Sequence, residues 1–331
     1  MKLQDVAVVG ATGLVGRKIV QLLEERDFPI ARLRLLASER SVGKSLDFKG
    51  KAHPVEKLTH DSFAHVEIAL FSAGGVVSKE YAPYAVKAGA LVIDNSSAFR
   101  MDPHVPLIVP EINPRMIAFH KGIIANPNCS TIQMVVVLKP LHDRWKIKRI
   151  VVSTYQAVTG AGQRGVVQLE GELGKHNHYE KKFPHPIAFN CLPQVDEFLE
   201  DGYTREEHKM VNETRKILAD DTIHVTATCV RVPVLGGHSE SVNVEFEKPF
   251  GVREVVELLR HSPGVCVQDD FHCRVYPMPI NSNDRDAVFV GRIRRDDSVK
   301  NGLNLWIVAD SLRKGAATNA VQIAEEWLKR K

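Results

Sequence analysis

The sequence has little net charge and no long hydrophobic run. Its 44 basic and 40 acidic residues leave a formal charge of +4 over 331 residues, without a block of like charges. This composition gives no reason to expect a nucleic-acid or membrane partner. The first apolar run, Val6–Val9, ends at Gly10 and is too short for a signal peptide or a membrane span, and no later run reaches about 18 residues.

Cysteine is also scarce. The chain has five cysteines, an odd number, and none of them forms a C-x-x-C pair. This pattern excludes a disulfide framework of the kind found in small secreted proteins and argues against a cysteine-based zinc site, so we predict no metal centre. The expected location is the reducing cytoplasm.

The length of 331 residues is enough for two domains of about 150 residues each. In the first 130 residues, short β-rich runs alternate with helical patterns, an order that gives right-handed crossovers and a mostly parallel sheet. Strands are predicted at 6–9, 32–37, 68–72, 91–94, 107–109 and 123–125, and a helix at 14–26. This pattern is typical of a Rossmann-type domain, in which ligands bind at the carboxyl ends of the strands.

The pattern changes from about residue 147. Alternating or β-branched runs predict a second, largely antiparallel sheet, with strands at 147–154, 223–234, 241–246, 265–268, 287–293 and 303–308 and helices at 165–173, 204–218 and 252–262. A last amphipathic helix is predicted within 312–329. The predicted fold is therefore α/β, with a Rossmann-type parallel-sheet domain at 1–127 and an α+β domain at 128–311. The segment 312–331 is expected to pack back on the first domain.

A glycine-rich turn, GATGLVG at 10–16, follows the first strand and precedes the first helix. Gly10 and Gly13 allow a tight turn, and the backbone N–H groups at the helix N-terminus suit a dinucleotide pyrophosphate. The second strand is followed by residues that suit the 2′-phosphate of NADP: Ser38, Arg40 and Ser41. Glu39 would instead favour NAD if it pointed inward. We predict NADP as the cofactor.

Cys129 is the cysteine whose setting favours reactivity. It follows the turn residues Pro127 and Asn128, and the periodic apolar run after it predicts a helix that begins near Cys129 or Ser130 and continues to Trp145. The unpaired amides of a helix N-terminus stabilise a thiolate, which lowers its pKa and makes it nucleophilic. Cys129 is therefore a candidate nucleophile.

A nucleophilic cysteine needs a base, and His238 is the best candidate because it lies in a glycine turn between two predicted strands. A serine hydrolase is not supported, since the chain has no G-x-S-x-G motif. Two arginines are candidate anion ligands: Arg100, after the fourth strand, and Arg231, on the strand that leads to His238. Glu206 and Lys209 are three residues apart on a predicted helix, and that spacing alone indicates a surface ion pair.

Together these segments resemble the aspartate-semialdehyde dehydrogenases, over about residues 3–324. The resemblance is carried by GATGLVG at 10–16, NPNCST at 126–131, YQAVTGAG at 155–162, CVRVPVLGGHSE at 229–240 and LRKGAATNAVQIAE at 312–325. It implies the reduction of L-aspartyl 4-phosphate by NADPH to aspartate semialdehyde, with release of phosphate. It also implies a place in lysine (through diaminopimelate), threonine and methionine biosynthesis, and a homodimer.

The resemblance also assigns roles to residues. Cys129 would form an acyl thioester, His238 would be its acid/base, and Gln156 would orient the substrate. Arg231 would bind the α-carboxylate and Glu206 would lie near the α-amino group. The phosphate ligands would be Arg100, Lys209 and Asn95. The cofactor contacts would be Gly10, Thr12, Gly13, Leu14, Val15, Ser38, Arg40, Ser41, Thr159, Gly160 and Asn319.

Two alternatives remain open. N-acetyl-γ-glutamyl-phosphate reductase uses the same cysteine chemistry on a longer acyl phosphate, but that family usually has a glycine just before its cysteine, where this chain has Asn128. The other alternative is a catalytically silent nucleotide-binding homologue. The presence of both Cys129 and His238 argues against it.

Overall fold

The computed structural model of the chain describes residues 2–176 and 178–331 and divides into two compact units. The first unit consists of the residues up to Pro127 together with Ala316–Lys331, and the second consists of Asn128–Gly315. Within the described ranges, every helix is too short or too polar to cross a membrane.

The first unit is built on a seven-stranded sheet with strand order β3-β4-β2-β1-β5-β6-β7. All pairs are parallel except β3–β4. The central strands are apolar on both faces because helices cover both sides of a parallel sheet. The elements are β1 (Gln4–Val9), α1 (Leu14–Glu25), β2 (Ile30–Ala37), β3 (Ser45–Phe48), β4 (Lys51–Lys57), β5 (Ile68–Phe71), α2 (Gly75–Lys87), β6 (Leu91–Asp94) and β7 (Ile123–Ala125).

The strand predicted at 107–109 is wrong. The segment makes a single bridge, between Leu107 and Ala125, and Ile108 and Val109 continue without a ladder. Their apolar side chains are buried, so burial alone produced the β-like pattern. The prediction also missed β3 and β4, a hairpin at the sheet edge whose polar residues hide the alternation.

The second unit contains a six-stranded sheet of order β11-β12-β13-β10-β8-β9. Most neighbour pairs are antiparallel, as predicted, but β8–β9 and β11–β12 pair parallel, so the sheet is mixed. The remaining three neighbour pairs are antiparallel. The elements are α3 (Cys129–Trp145), β8 (Ile147–Gln156), α4 (Gln163–Glu172), α5 (Arg205–Leu218), β9 (His224–Arg231), β10 (Gly237–Phe246), α6 (Val252–Arg260), β11 (Val265–Val267), α7 (Pro279–Ser282), β12 (Val288–Asp296) and β13 (Gly302–Asp310).

The C-terminal segment differs from the single helix predicted within 312–329. A π-helical turn, Arg313–Ala317, comes first and the regular helix α8 spans Thr318–Leu328. The Asp310 carboxylate accepts hydrogen bonds from the N–H groups of Leu312 and Arg313, which holds these residues in the second unit. The unit boundary therefore lies between Gly315 and Ala316 rather than after residue 311. Apolar residues of α8 join the core of the first unit.

Candidate active site

The glycine-rich turn has the backbone geometry expected for an anion site. Gly10 has φ +81°, and a Cβ atom there would come within 2.6 Å of the Ser72 carbonyl oxygen. Helix α1 begins after Gly13, which offers no side-chain cap, and the first turn of the helix has no acidic residue. The positive end of the helix dipole is therefore available to a phosphate group. Leu14 and Val15 supply the first two amides of that helix.

The segment after β2 forms a short 3₁₀ turn, Glu39–Ser41. Glu39 forms an ion pair with Lys57 at 3.1 Å, and its side chain is 77% exposed, so it is turned outward. Ser38 and Arg40 are exposed, and Ser41 is buried with its hydroxyl 3.1 Å from that of Thr12. With the acidic side chain occupied elsewhere, this turn presents the hydroxyl and guanidinium groups that suit a 2′-phosphate.

Four polar residues of the first unit form a network, and three of them, Arg100, Asn126 and Asn319, are buried. Arg100 donates from Nε to the Asn126 carbonyl at 2.9 Å and from Nη2 to the Asn95 carbonyl at 2.8 Å. The Asn126 amide donates to Asn95 Oδ1 at 3.0 Å. Asn319 on α8 donates to Asn126 Oδ1 at 2.7 Å and to the Ile108 carbonyl at 2.9 Å. These contacts hold Asn95, Arg100 and Asn319 in place; their roles toward phosphate and cofactor stay predictions.

In the second unit, three predicted site residues lie together at the ends of three neighbouring strands, β8, β9 and β10. Gln156 is the last residue of β8 and Arg231 the last of β9, and the two are paired in the parallel register. His238 is the second residue of the neighbouring strand β10. Strand ends of a sheet gather side chains from distant parts of the chain, and all three residues are buried here.

Helix α3 begins at Cys129, as the sequence predicts. Asn128 is its N-cap: Oδ1 accepts hydrogen bonds from the N–H groups of Ser130 at 2.9 Å and Thr131 at 3.2 Å. The Asn128 N–H donates to Glu213 at 2.6 Å, which fixes the turn that leads to the cysteine. Cys129 is therefore held at the first position of a capped helix and is partly exposed.

Glu206 links the turn before Cys129 to Gln156 at the end of strand β8. Its Oε1 accepts hydrogen bonds from the side-chain amides of Asn128 at 2.8 Å and Gln156 at 3.1 Å. Its Oε2 lies 3.1 Å from Lys209 Nζ, and Lys209 also contacts Asp196 at 2.7 Å. Glu206 thus joins Gln156 to the residue that directly precedes Cys129.

Glu206 is an ionised carboxylate in a buried position. Burial alone would raise its pKa, but the Lys209 charge and three side-chain hydrogen bonds outweigh that effect and hold the pKa at about 2. Burial likewise opposes the charge of Lys209, yet Glu206 and Asp196 raise the pKa of its ammonium group. The i, i+3 pair predicted from spacing therefore exists, but the expectation that it lies on the surface is wrong, since Glu206 is 5% exposed.

Arg231 has unused hydrogen-bonding capacity. Nη1 donates to the Ala157 carbonyl at 2.7 Å, whereas the buried Nε has no partner within the described ranges. Burial lowers the pKa of the guanidinium, and the nearby Glu206 and Cys129 oppose that shift. A buried arginine with an unpaired N–H group is a strong candidate ligand for a carboxylate.

His238 is fully buried, and its two ring nitrogens have different environments. Nδ1 accepts a hydrogen bond from the Ala157 N–H at 3.0 Å, while Nε2 has no partner among residues 2–176 and 178–331. Burial and, to a smaller extent, the Arg231 charge lower the pKa of His238 to about 3, so the ring is neutral at pH 7. The arrangement leaves Nε2 for a reacting group.

Glycine residues clear the space around these side chains. A Cβ atom on Gly160 would lie 2.8 Å from Arg231 Nη1 and 2.9 Å from His238 Nε2. A Cβ atom on Gly315 would lie 3.0 Å from the Cys129 Cβ. Thr159, next to Gly160, is held by a contact of 3.2 Å between its hydroxyl and that of Ser311. The cofactor roles of Thr159 and Gly160 stay predictions.

The sequence analysis missed some residues of these sites. Asn128 serves as cap and as Glu206 ligand, and its place before a helix was the available signal. In the first unit, the Ser72–Gly75 turn contacts Gly10, and Gly74 (φ +88°) precedes α2 without a side-chain cap. A glycine pair after a strand of a parallel sheet could have indicated this turn next to the glycine-rich segment.

Comparisons with known proteins show which family the chain resembles. Two family models match the chain: the NAD-binding domain of semialdehyde dehydrogenases at residues 5–120 and the dimerisation domain of semialdehyde dehydrogenases at residues 138–314. The chain is 58% identical to the aspartate-semialdehyde dehydrogenase of Aquifex aeolicus, over 98% of both chains. It is 51% identical to that of Campylobacter jejuni, over 100% of this chain and 99% of the relative.

Solved structures give the same result. The chain is similar to aspartate semialdehyde dehydrogenase II from Vibrio cholerae complexed with ASA, with a TM-score of 0.96 and 48% identity over 99% of each chain. It is also similar to the aspartate semialdehyde dehydrogenase with NADP from Candida albicans, with a TM-score of 0.79 and 25% identity over 99% of each chain.

Proposed function

The chain belongs to the aspartate-semialdehyde dehydrogenase family, and we propose that it reduces L-aspartyl 4-phosphate with NADPH through a thioester on Cys129. It is an oxidoreductase of amino-acid biosynthesis, and its match to a dimerisation domain supports a homodimer. The observation that carries the proposed mechanism is that Glu206 accepts hydrogen bonds from both Asn128, the helix cap before Cys129, and Gln156 at the end of β8. The products are aspartate semialdehyde, NADP and phosphate.

The residues of the first unit fit NADP. The uncapped start of α1 suits the pyrophosphate, and the outward Glu39 leaves Ser38, Arg40 and Ser41 for the 2′-phosphate. When bound, the cofactor supplies a hydride to the thioester carbonyl, which is a far better acceptor than a carboxylate. Splitting the reaction at a thioester therefore replaces one difficult step by two easier ones.

Cys129 is proposed as the nucleophile. Its sulfur attacks the acyl carbon, the C–S bond forms, and the bond to the phosphate oxygen breaks with its electron pair leaving on phosphate. The positive end of the α3 dipole favours the thiolate that attacks the substrate and is released when the aldehyde forms. Arg100, Lys209 and Asn95 are the proposed ligands of the phosphate group.

Glu206 and Arg231 are proposed to bind the amino-acid end of the substrate. Glu206 is negative and buried, which favours an α-ammonium group, and the unpaired Nε of Arg231 favours an α-carboxylate. An N-acetylated substrate has no positive charge for Glu206. This argues against N-acetyl-γ-glutamyl-phosphate reductase activity.

His238 is proposed as the acid/base that serves the sulfur through Nε2. Because Nδ1 accepts the Ala157 N–H, the neutral ring carries its hydrogen on Nε2. In this tautomer Nε2–H donates toward the sulfur and stabilises the thiolate as the thiohemiacetal collapses to the aldehyde. Accepting the proton of the resting thiol requires the other tautomer, with the ring turned away from Ala157.

We also place the enzyme in the cytoplasm. The proposed chemistry requires Cys129 as a thiol, and a reducing compartment maintains thiols against oxidation.

The test is phosphate-dependent oxidation of aspartate semialdehyde by NADP, the reverse reaction, with N-acetylglutamate semialdehyde in parallel. We expect turnover with the first substrate only. Activity on the acetylated substrate alone would replace the proposal by the reductase alternative. NADP binding without turnover of either substrate would support the silent homologue.

A further inference from the structure

One buried carboxyl group has no part in the proposed mechanism. Glu240 lies two residues after His238 on β10, so both side chains face the same side of the strand. It is fully buried, and neither carboxyl oxygen has a hydrogen-bond partner within the described ranges. The residues opposite it in register are Thr154 of β8 and Ile307 of β13.

Gln133 faces Glu240 from helix α3. It lies four residues after Cys129, one helical turn along, and is also fully buried. Its Nε2 donates to the His238 carbonyl in a long contact of 3.4 Å, while its Oε1 has no partner in the described part of the chain. Three buried acceptor oxygens, two of Glu240 and one of Gln133, therefore have no donor among residues 2–176 and 178–331.

Protonation of Glu240 supplies a hydrogen-bond donor to this group of acceptor oxygens. An ionised carboxylate here would be a buried charge that no cation of the described residues offsets, which is unfavourable. Burial accordingly raises the pKa of Glu240 well above its ordinary value, and this effect exceeds the opposing influence of the nearby Gln133 side chain. A Glu240 charge would act on the thiol of Cys229, whose pKa is raised mainly by burial and to a smaller extent by neighbouring carboxylates, Glu240 among them. A carboxylic acid also has an O–H donor, which a carboxylate lacks.

We propose that Glu240 is a positioning residue that works in its protonated form, donating its O–H to Gln133 Oε1 while Gln133 Nε2 holds the His238 carbonyl. This chain of hydrogen bonds joins the helix that begins at the nucleophile to the strand that carries the acid/base. It rests on the proposed roles of Cys129 and His238. The expected function is to hold the His238 imidazole and the Cys129 sulfur at fixed positions relative to each other during the chemical step.

The ionisation state is tested directly by infrared spectroscopy. The difference spectrum between wild type and Glu240→Gln at pH 7 should contain the C=O band of a protonated carboxyl group. Carboxylate bands in its place would overturn the proposal. Because this measurement needs no substrate, it decides the state of Glu240 even if the proposed activity is absent.

The positioning role is tested by kinetics. Glu240→Gln is neutral, has the same shape and can donate to Gln133, so it should retain kcat. Glu240→Leu and Gln133→Leu remove the link and should lower kcat about tenfold, the equivalent of one buried hydrogen bond, with KM unchanged. Ser241→Ala, exposed on the other face of β10, is the matched control. If both leucine variants fold and keep the wild-type kcat, the positioning role is wrong.

A third measurement follows from the raised pKa of Glu240. A carboxyl group that is protonated in the folded protein stabilises it at low pH, and this contribution is lost as pH rises through the folded pKa. As the pH rises above 4.5, the ordinary value for a glutamate, the free energy of unfolding of wild type should therefore fall more than that of Glu240→Gln. An equal loss in the two proteins between pH 4.5 and pH 7 would contradict a protonated Glu240.

Discussion

The proposed sites of the two units consist of different kinds of chemical groups. In the first unit, the proposed nucleotide site consists of backbone amides at the start of α1 and of exposed side chains such as Arg40. In the second unit, the proposed catalytic site consists of buried side chains, among them Glu206, Arg231 and His238. The first type of site needs the correct turn, whereas the second needs the correct packing of several elements.

The difference affects how the two sites respond to change. An exposed group is surrounded by water, which screens its charge, so its loss has a limited effect. A buried charge depends on its neighbours: Glu206 stays ionised because Lys209 and two side-chain amides compensate for burial. We therefore expect substitutions in the second unit to have larger effects than those in the first.

The largest effect is expected from Cys129→Ala. This variant lacks the nucleophile, so turnover should fall by roughly 10³-fold or more. NADP affinity should remain that of wild type, since the proposed nucleotide ligands are unchanged. Steady-state kinetics measure the loss of turnover, and equilibrium binding measures the NADP affinity. Substantial residual turnover would refute the thioester mechanism.

Arg231→Lys should have the next largest effect. Lysine cannot reproduce the planar fork of the guanidinium, so kcat/KM for aspartate semialdehyde should fall about 100-fold. Arg164→Lys, at an exposed ion pair with Glu180 in the same unit, is the control and should behave as wild type. Similar kinetics for the two variants would remove Arg231 from the substrate site.

Arg40→Ala examines the exposed site of the first unit. Loss of a charged hydrogen bond to the 2′-phosphate should raise KM for NADP about tenfold and leave the activity with NAD unchanged. Glu39→Gln is the neighbouring control, because Glu39 is paired with Lys57 and turned outward. An equal loss with NADP and NAD would show that Arg40 does not contact the 2′-phosphate.

The smallest expected effect is a pH dependence of stability. Burial holds the pKa of His238 at about 3, against 6.5 for the ordinary side chain. Between these values the unfolded chain binds a proton that the folded chain does not, so the free energy of unfolding falls as pH decreases.

Denaturant titrations should find a smaller loss in His238→Gln than in wild type between pH 6.5 and about 5, above the range in which carboxylates titrate. His224→Gln, an exposed histidine of the same unit, should retain the wild-type slope. An unchanged slope in His238→Gln would contradict a neutral, buried ring.

Local features of both sites were predictable from sequence. The helix start at Cys129 follows from Asn128 and the periodic run after it, and the glycine turn before α1 follows from its place after a buried strand. The predictions failed where a local pattern has more than one tertiary outcome. The buried apolar segment at 107–109 is not a strand, and the parallel pairing of β8 with β9 could not be deduced from alternation.

The sequence by itself determined most of the elements, the glycine-rich turn and the helix start at Cys129, because these depend on residues within a few positions of one another. Only the tertiary structure decided which charges are buried. The i, i+3 spacing of Glu206 and Lys209 indicates an ion pair, but burial of that pair depends on Asn128 and Gln156, which are far away in the chain. The physical reason is that hydrogen bonding between neighbours is local, whereas desolvation depends on everything that packs around a group.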